Sequence, residues 1–333
     1  MLILTNIARF PARWTTSGGE RGQAVQVSSL GGILRQLGRA HLILIDCNPK
    51  LVLQVCALFT AFPWMRRPLV ANDLVLRQPE RLSHRLLLGP KRLLLARVDH
   101  FIHYFKDLSG YQRYFGIGPE RSSFVPFKPN LRGHYHGGPD ADGQYVLLFG
   151  RSLRDFDTFF DAIERLPYPA AIARPDFAEL RAHGARFTRP LDRLPPQVRL
   201  LEHRTGEIES QIHALRGARL VVLPLLKSCL VGVGTCLNAM LLGKCVIISQ
   251  GPATNGLLAE EALIVPPEDP AALAEMVRRA WVDDGLRERT AAAGHRYASS
   301  LGGERELIQR LLDCAVAWRR QSQWARRGRP GPL

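Results

Sequence analysis

The chain has 333 residues, of which 46% are hydrophobic, and a formal net charge of +15. This length exceeds that of an ordinary single domain, and the apolar content excludes a chain that is disordered along most of its length. The longest apolar stretch, residues 51–65, is interrupted by polar residues and is too short to span a bilayer.

Arginine supplies most of the positive charge, since only six of the 45 basic residues are lysine. This bias favours ligands that carry phosphate, or it reflects no more than a solvated basic surface. The six cysteines form neither a C-x-x-C pair nor a zinc pattern. We therefore expect no metal site and a reducing, cytoplasmic location.

Apolar runs alternate with helical patterns after the first 40 residues, to which we assign no pattern. Strands are predicted over 41–45, 68–71, 98–104 and 123–126, and helices over 51–62, 91–97 and 109–115, the last capped by Ser109. This alternation predicts a parallel sheet wrapped by helices. Residues 128–143 are rich in Pro, Gly and His and have no periodicity, so they predict a linker that ends a first domain, 1–143.

A second α/β domain, 144–300, is predicted from the same alternation. Its strands are expected at 145–149, 170–173, 198–201, 220–223, 245–249 and 262–265, and its helices at 157–166, 207–215, 234–242 and 270–281. The rest, 301–333, is predicted as a separate helix with a basic tail. Its apolar stripe at helical spacing consists of Leu307, Ile308, Leu311, Leu312, Ala315 and Val316. This helix either packs on the body of the protein or lies on an anionic membrane surface.

Two loops at strand ends predict an anion site in the second domain. In one, Gly232, Val233, Gly234 and Thr235 lead from a strand into a helix, whose first N–H groups suit a diphosphate. In the other, Gly150 is followed by Arg151 and Arg154, which can neutralise such a group or are merely solvated. Ligands of parallel sheets bind at this carboxyl edge of the strands.

Four segments of the second domain resemble the donor half of retaining GT-B glycosyltransferases of the family-4 type. They are residues 145–151, 219–224, 238–249 and 262–273. The resemblance implies an α/β protein of two Rossmann-like domains that face a cleft. It also implies a nucleotide-sugar donor, bound by the second domain without an essential metal or other cofactor.

The resemblance also assigns roles to particular residues. Arg151 matches the family's arginine after the first strand, Arg154 stands in for a nearby lysine, and Gly232–Thr235 matches the glycine turn. Two glutamates of the family are replaced here. Asn238 stands where one contacts the donor ribose and can still form a hydrogen bond, whereas Leu230 removes the carboxylate that contacts the sugar.

The acceptor side is predicted in the first domain. Asp46, Asp73 and His103 lie at or near the ends of its predicted strands, and we take them as candidate catalytic residues. The resemblance implies that no strong protein base is needed, because the departing phosphate can take the proton.

A glycosyltransferase that retains configuration is the function we expect, with a polysaccharide, lipid-linked or protein acceptor. A nucleotide-sugar epimerase and an inactive GT-B binding or assembly protein remain alternatives. Nucleic acid is not expected as a partner, because only the charge favours it and no recognition motif accompanies that charge. Peripheral attachment to the inner face of an anionic membrane remains open.

Overall fold

A computed structural model of the chain describes residues 1–76, 78–79, 86–134, 143–202, 208–227 and 233–322. The chain forms two compact units. The first contains Met1–Pro126 and Arg305–Leu333, and the second contains Phe127–Glu304.

The first unit is built on a sheet whose described strands follow the order β2-β3-β1-β4-β5-β6-β7. They are β1 Leu2–Thr5, β2 Arg13–Thr15, β3 Arg21–Gln26, β4 Leu42–Asp46, β5 Leu69–Asn72, β6 His100–His103 and β7 Ser122–Phe124. All neighbours are parallel except β2 and β3, which are antiparallel. The predicted parallel sheet is therefore confirmed.

The described helices of the first unit before residue 127 are α1 Leu30–Gln36, α2 Pro49–Ala61, α3 Leu88–Leu95 and α4 Ser109–Phe115. Asn48 caps α2 by accepting a hydrogen bond from the Leu51 amide, and Pro49 occupies its first position, where a missing N–H costs nothing. The helix then buries Val52, Val55 and Phe59. The predicted Ser109 cap is wrong, because Leu108 precedes the first turn of α4 and Asp107 accepts from the Ser109 amide.

The second unit contains a parallel sheet with the order β10-β9-β8-β11-β12-β13. Its strands are β8 Tyr145–Leu148, β9 Ala170–Ala173, β10 Val198–Leu201, β11 Ala218–Leu223, β12 Cys245–Ser249 and β13 Leu263–Val265. The described helices are α5 Phe156–Ile163, α6 Phe177–Ala182, α7 Ile208–Arg216, α8 Val233–Leu241, α9 Pro270–Val282 and α10 Asp284–Ser300.

Both faces of this sheet are covered by helices, so its strands are apolar on both sides. Along β8, Tyr145 and Leu147 face a core shared with α7, α8 and α10. Val146 and Leu148 face the opposite core, which is shared with α5 and α9. The switch point of this sheet lies between β8 and β11, which places the loops after these two strands where ligands of such folds bind.

The last helix, α11 Glu304–Gln321, belongs to the first unit from Arg305 onward, so the separate segment 301–333 is not a unit of its own. All six residues of its apolar stripe are buried. The helix is tied to the first unit by Asp313, which accepts two hydrogen bonds from Ser17, and by Trp318, which stacks on His100. The stripe is therefore core, and it is not available to a membrane surface.

The boundary between the units differs from the predicted one. The chain enters the second unit at Phe127, so residues 127–134 of the predicted linker already belong to that unit, while 135–142 lie outside the described residues. No helix within the described ranges is long and apolar enough to cross a bilayer.

Candidate functional site

The loop after β8 makes a tight turn at Gly150, whose φ is +87°. A Cβ atom here would lie 2.7 Å from Nη2 of Arg154 and 3.1 Å from Cγ2 of Thr235. A side chain would therefore clash with the guanidinium and crowd the first turn of α8. Three predicted donor-binding residues thus meet at the carboxyl edge of the second sheet.

Arg154 is buried beneath this turn, with only 2% of its surface exposed. Its Nε donates to the Phe149 carbonyl at 2.8 Å, and its Nη1 donates to the Ser152 carbonyl at 3.0 Å. The solvated alternative is wrong for Arg154, because its guanidinium holds the turn in place. It also sets a fixed positive charge against the start of α8, close enough to oppose the rise that burial causes in the pKa of Cys236.

Arg151 points elsewhere and forms an ion pair with Glu179 of α6. About a third of each side chain is exposed, so the pair lies at the rim of the edge. Glu179 also lines a narrow pocket with Gly150, Pro175 and Gln211. The cavity has a volume of about 30 Å³, which is room for one water molecule.

Helix α8 begins at Val233, one residue before its predicted start, so Gly234 and Thr235 lie in its first turn. Gly232 and Leu230 lie outside the described residues. A Cβ atom at Gly234 would lie 3.2 Å from Cε1 of Phe127 and 3.6 Å from Nδ2 of Asn130. The missing side chain therefore accommodates the Phe127 ring, a neighbour in the same unit, and not a ligand.

Asn238, one turn further along α8, has 4% of its surface exposed. Its Oδ1 accepts hydrogen bonds from the amides of Asn130 at 2.7 Å and Leu131 at 3.2 Å. This oxygen binds backbone, so only Nδ2 remains to reach a ribose hydroxyl.

The first unit brings Asp46 and Asp73 together at the carboxyl edge of its sheet. Asp46 ends β4, and Asp73 follows directly after β5. Asn72 donates from Nδ2 to Oδ1 of Asp46 at 2.5 Å and to the Tyr104 hydroxyl at 2.7 Å. Asn6 fixes the backbone of Asp46 through bonds to its amide and carbonyl, at 2.7 and 2.8 Å.

The backbone directly after Asp46 and at Asp73 is strained. Cys47 and Asp73 have φ values of +43° and +44°, a left-handed conformation that costs free energy for residues other than glycine. Burial, and secondarily the charge of Asp46, raise the pKa of Asp73 to about 7. The Asp73 carboxyl group can therefore hold a proton near neutral pH.

His103 does not join these carboxylates. It is 1% exposed and packs against the rings of Phe105 and Tyr111, with centroid distances of 5.0 and 5.2 Å. Burial, and then the neighbouring His100, lower the pKa of His103 to about 4. The imidazole is a neutral core side chain, so the geometry gives no support to a catalytic role.

Three residues at the carboxyl edges of the two sheets were not predicted as site residues from the sequence: Asn72, Tyr104 and Glu179. Asn72 directly follows the predicted strand 68–71, so its position at a strand end was a usable signal. Tyr104 is the last residue of the predicted strand 98–104 and carried the same signal. Glu179 had no such signal, because its role depends on a contact with Arg151, 28 positions away.

Residues 144–283, less than half of the chain, match the family model for glycosyl transferases group 1. The match covers β8 to α9, and it includes the Gly150 turn, Arg154 and the start of α8. A comparison with curated proteins found no match.

Solved structures extend the likeness to both units. Sucrose-phosphate synthase from Thermosynechococcus elongatus superposes with a TM-score of 0.64 at 17% identity, over 97% of this chain and 89% of that one. HepE from Anabaena, solved in complex with UDP, gives a TM-score of 0.65 at 16% identity, over 89% and 86%. An α,α-trehalose-phosphate synthase from Burkholderia xenovorans, solved with glucose-6-phosphate, gives 0.58 at 14% identity, over 86% and 77%.

The chain has the GT-B fold. The resemblance inferred from residues 145–151, 219–224, 238–249 and 262–273 is confirmed, since each of these segments lies within the match to the glycosyltransferase family. The two α/β units and the parallel strands of both sheets agree with the GT-B fold of the solved neighbours.

Proposed function

We propose that the protein is a glycosyltransferase that moves a sugar from a nucleotide-sugar donor to a hydroxyl of an acceptor. The observation that carries the proposal is the meeting of the Gly150 turn, the Arg154 guanidinium and the first turn of α8 at one sheet edge. This edge lies within the segment that matches the glycosyltransferase family.

The donor's diphosphate is assigned to this edge. The first turn of α8 supplies N–H groups and the positive end of a helix dipole, and Arg154 adds a buried positive charge. Arg151 reaches the phosphates by exchanging its ion pair with Glu179 for one with the ligand. These groups neutralise the leaving diphosphate without an essential metal. HepE has been solved with UDP and with UDP-glucose, which supports a uridine nucleotide as the first donor to test.

The acceptor is assigned to the first unit, at Asp46 and Asp73. A carboxylate there accepts a hydrogen bond from the attacking hydroxyl and orients its oxygen. In the transfer, the bond from the sugar's anomeric carbon to the phosphate oxygen breaks and a bond to the acceptor oxygen forms. The hydroxyl proton passes to the departing phosphate, and the sugar keeps its anomeric configuration. The acceptor is a glycan, a lipid-linked sugar or a protein.

The donor assignment is tested by thermal unfolding with a panel of nucleoside diphosphates and nucleotide sugars in EDTA. Binding to the folded state raises the melting temperature by mass action, and we expect a rise with one nucleotide family despite the chelator. Arg151→Ala should weaken that binding about tenfold or more, since a charge-assisted contact is lost. Arg278→Ala is the matched control, because Arg278 also forms a surface ion pair, with Glu275 of its own helix. Equal weakening in both variants, or binding only with added metal, would refute the assignment.

One observation favours a second candidate, an inactive GT-B protein that binds a nucleotide sugar. The side-chain oxygen of Asn238 is engaged by backbone amides at the position where the resemblance expects a ribose contact. Incubation with the nucleotide sugar that binds best separates the two candidates. Slow release of free sugar or transfer to an added acceptor identifies an enzyme, whereas binding without turnover identifies the inactive protein.

A further inference from the structure

A second cavity lies in the first unit, between the ends of β5, α2, α3 and α4. Its volume is about 360 Å³, within the range of roughly 300–1,000 Å³ that is common for small-molecule sites. Of the ten described residues that line it, nine are apolar, including Leu53, Leu74, Leu76, Leu88, Leu95 and Phe115.

This cavity is continuous in the chain with the carboxylate pair. Asp73 is followed directly by Leu74, Val75 and Leu76, which form one wall. Tyr111 holds this wall, because its hydroxyl donates to the Leu74 carbonyl at 2.5 Å and accepts from the Leu76 amide at 3.2 Å. Pro49, which stands three residues after Asp46, also lines the cavity. The polar pair and the apolar cavity therefore share their supporting segments.

The described lining also contains a lysine. Lys91, on the same helix as Leu88 and Leu95, is the charged residue among those described around the cavity. A half-buried lysine among apolar lining residues suits a ligand that is apolar along its length and carries an anionic group. A free sugar phosphate would leave the leucine surface without a partner, so the cavity does not fit such an acceptor.

We infer that the cavity binds the apolar chain of the acceptor, which is an amphiphile with an anionic group beside Lys91 and its hydroxyl-bearing head at Asp46 and Asp73. This inference rests on the proposed function for the identity of the head, whereas the binding of the chain can be tested without any donor. It selects the lipid-linked class from the three acceptor classes left open above.

The test measures calorimetric binding of inorganic phosphate, hexyl phosphate and octyl phosphate, each below its micelle concentration, to the full-length protein. Each buried methylene contributes about 0.8 kcal/mol, so octyl phosphate should bind about fifteenfold tighter than hexyl phosphate, at one site per chain. Inorganic phosphate should not bind detectably at this site.

Two lining variants locate the site. Leu88→Gln should weaken octyl phosphate about tenfold, while Leu93→Gln, on the same helix but 63% exposed and outside the lining, should leave binding unchanged. Lys91→Met should weaken octyl phosphate and leave the neutral probe octanol unaffected. Circular dichroism melting of each variant shows that a lost affinity is not a lost fold.

Affinity that is independent of chain length, or equal loss in Leu88→Gln and Leu93→Gln, would overturn the inference. So would binding to anionic lipid vesicles with no binding of monomeric octyl phosphate, which would indicate a membrane surface. The nucleotide panel is independent of these results. If nucleotides bind and octyl phosphate does not, the cavity assignment fails and the proposed function stands, and the reverse pattern retains the cavity and refutes the donor site.

Discussion

At the residue scale, Asp73 combines a strained backbone, a raised pKa and a place beside Asp46. Its conformation persists because the neighbouring structure fixes it: the Asp73 amide donates to the Ile102 carbonyl at 2.9 Å, and Asn72 is bonded on both sides. Strain that is held in this way is common at functional sites. The candidate catalytic pair therefore carries a cost in stability, and that cost is measurable.

Asp73→Asn should remove the cost of ionising a buried carboxyl group, and that cost depends on pH. Between about pH 4 and pH 7 the native state keeps a proton that the unfolded chain has lost, so stability falls as the pH rises through that window. We expect the variant to exceed the wild type by about 1–3 kcal/mol in free energy of unfolding at pH 8, and to match it near pH 4. Urea unfolding at both pH values measures the difference.

The control for this experiment is Glu288→Gln, an exposed carboxylate on α10 of the other unit. It should show the same stability relative to the wild type at both pH values. A gain for Asp73→Asn that is equal at pH 4 and pH 8 would contradict a titrating Asp73.

At the element scale, the elements predicted after residue 41 are observed with their ends shifted by a few residues, because apolar runs and their turn residues are local signals. Strands β9, β10 and β12 match their predicted limits. The first three strands were not predicted. Strand β1 has only four residues and no flanking turn pattern, and its central place follows from parallel pairing with β3 and β4, which no local pattern encodes. Strand β3, with the sequence Arg-Gly-Gln-Ala-Val-Gln, is too polar to be recognised.

The candidate site was predictable to a similar extent. The strand-end positions of Asp46, Asp73 and Gly150 follow from the topology of parallel sheets, and the structure places them there. The partners of the side chains do not follow from it. Arg154 is buried, Arg151 pairs with Glu179 and Asn238 binds backbone, and each of these depends on contacts distant in sequence.

The contact between α8 and the segment that begins at Phe127 gives a second prediction. Asn238→Ala leaves the amides of Asn130 and Leu131 without their buried acceptor, which should lower the free energy of unfolding by about 2–4 kcal/mol. Asn238→Asp keeps an acceptor oxygen and should lose less. Denaturant unfolding of both variants tests this, and an Ala variant as stable as the wild type would show that the two hydrogen bonds are not formed.

At the scale of the whole molecule, the first unit is assembled from two separated stretches of chain. Its sheet comes from the first 126 residues, while its last helix follows the entire second unit. The helix buries Leu307, Leu311, Leu312 and other residues of its stripe, and Ser17 and His100 contact it from the sheet side. The stability of the first unit therefore depends on a segment that is distant in sequence.

Truncation after Gly303 should expose this dependence. We expect hydrogen exchange to accelerate in peptides from residues 1–126 and to stay unchanged in β8–β13, because the lost apolar burial belongs to the first unit alone. Truncation after Ser322, which retains α11, is the control and should leave both regions protected. Equal acceleration in the two units after the first truncation would contradict the division described above.

Because the first unit is assembled from two separated stretches of chain, the order in which the two units fold during translation is constrained. The second unit is one uninterrupted stretch, Phe127–Glu304, so all of its residues are synthesised before α11 is complete. Until α11 is made, the surface of the first unit that this helix covers stays exposed to solvent. During translation the later unit can therefore complete its fold first, and the N-terminal part of the chain reaches its final form only when its last helix arrives.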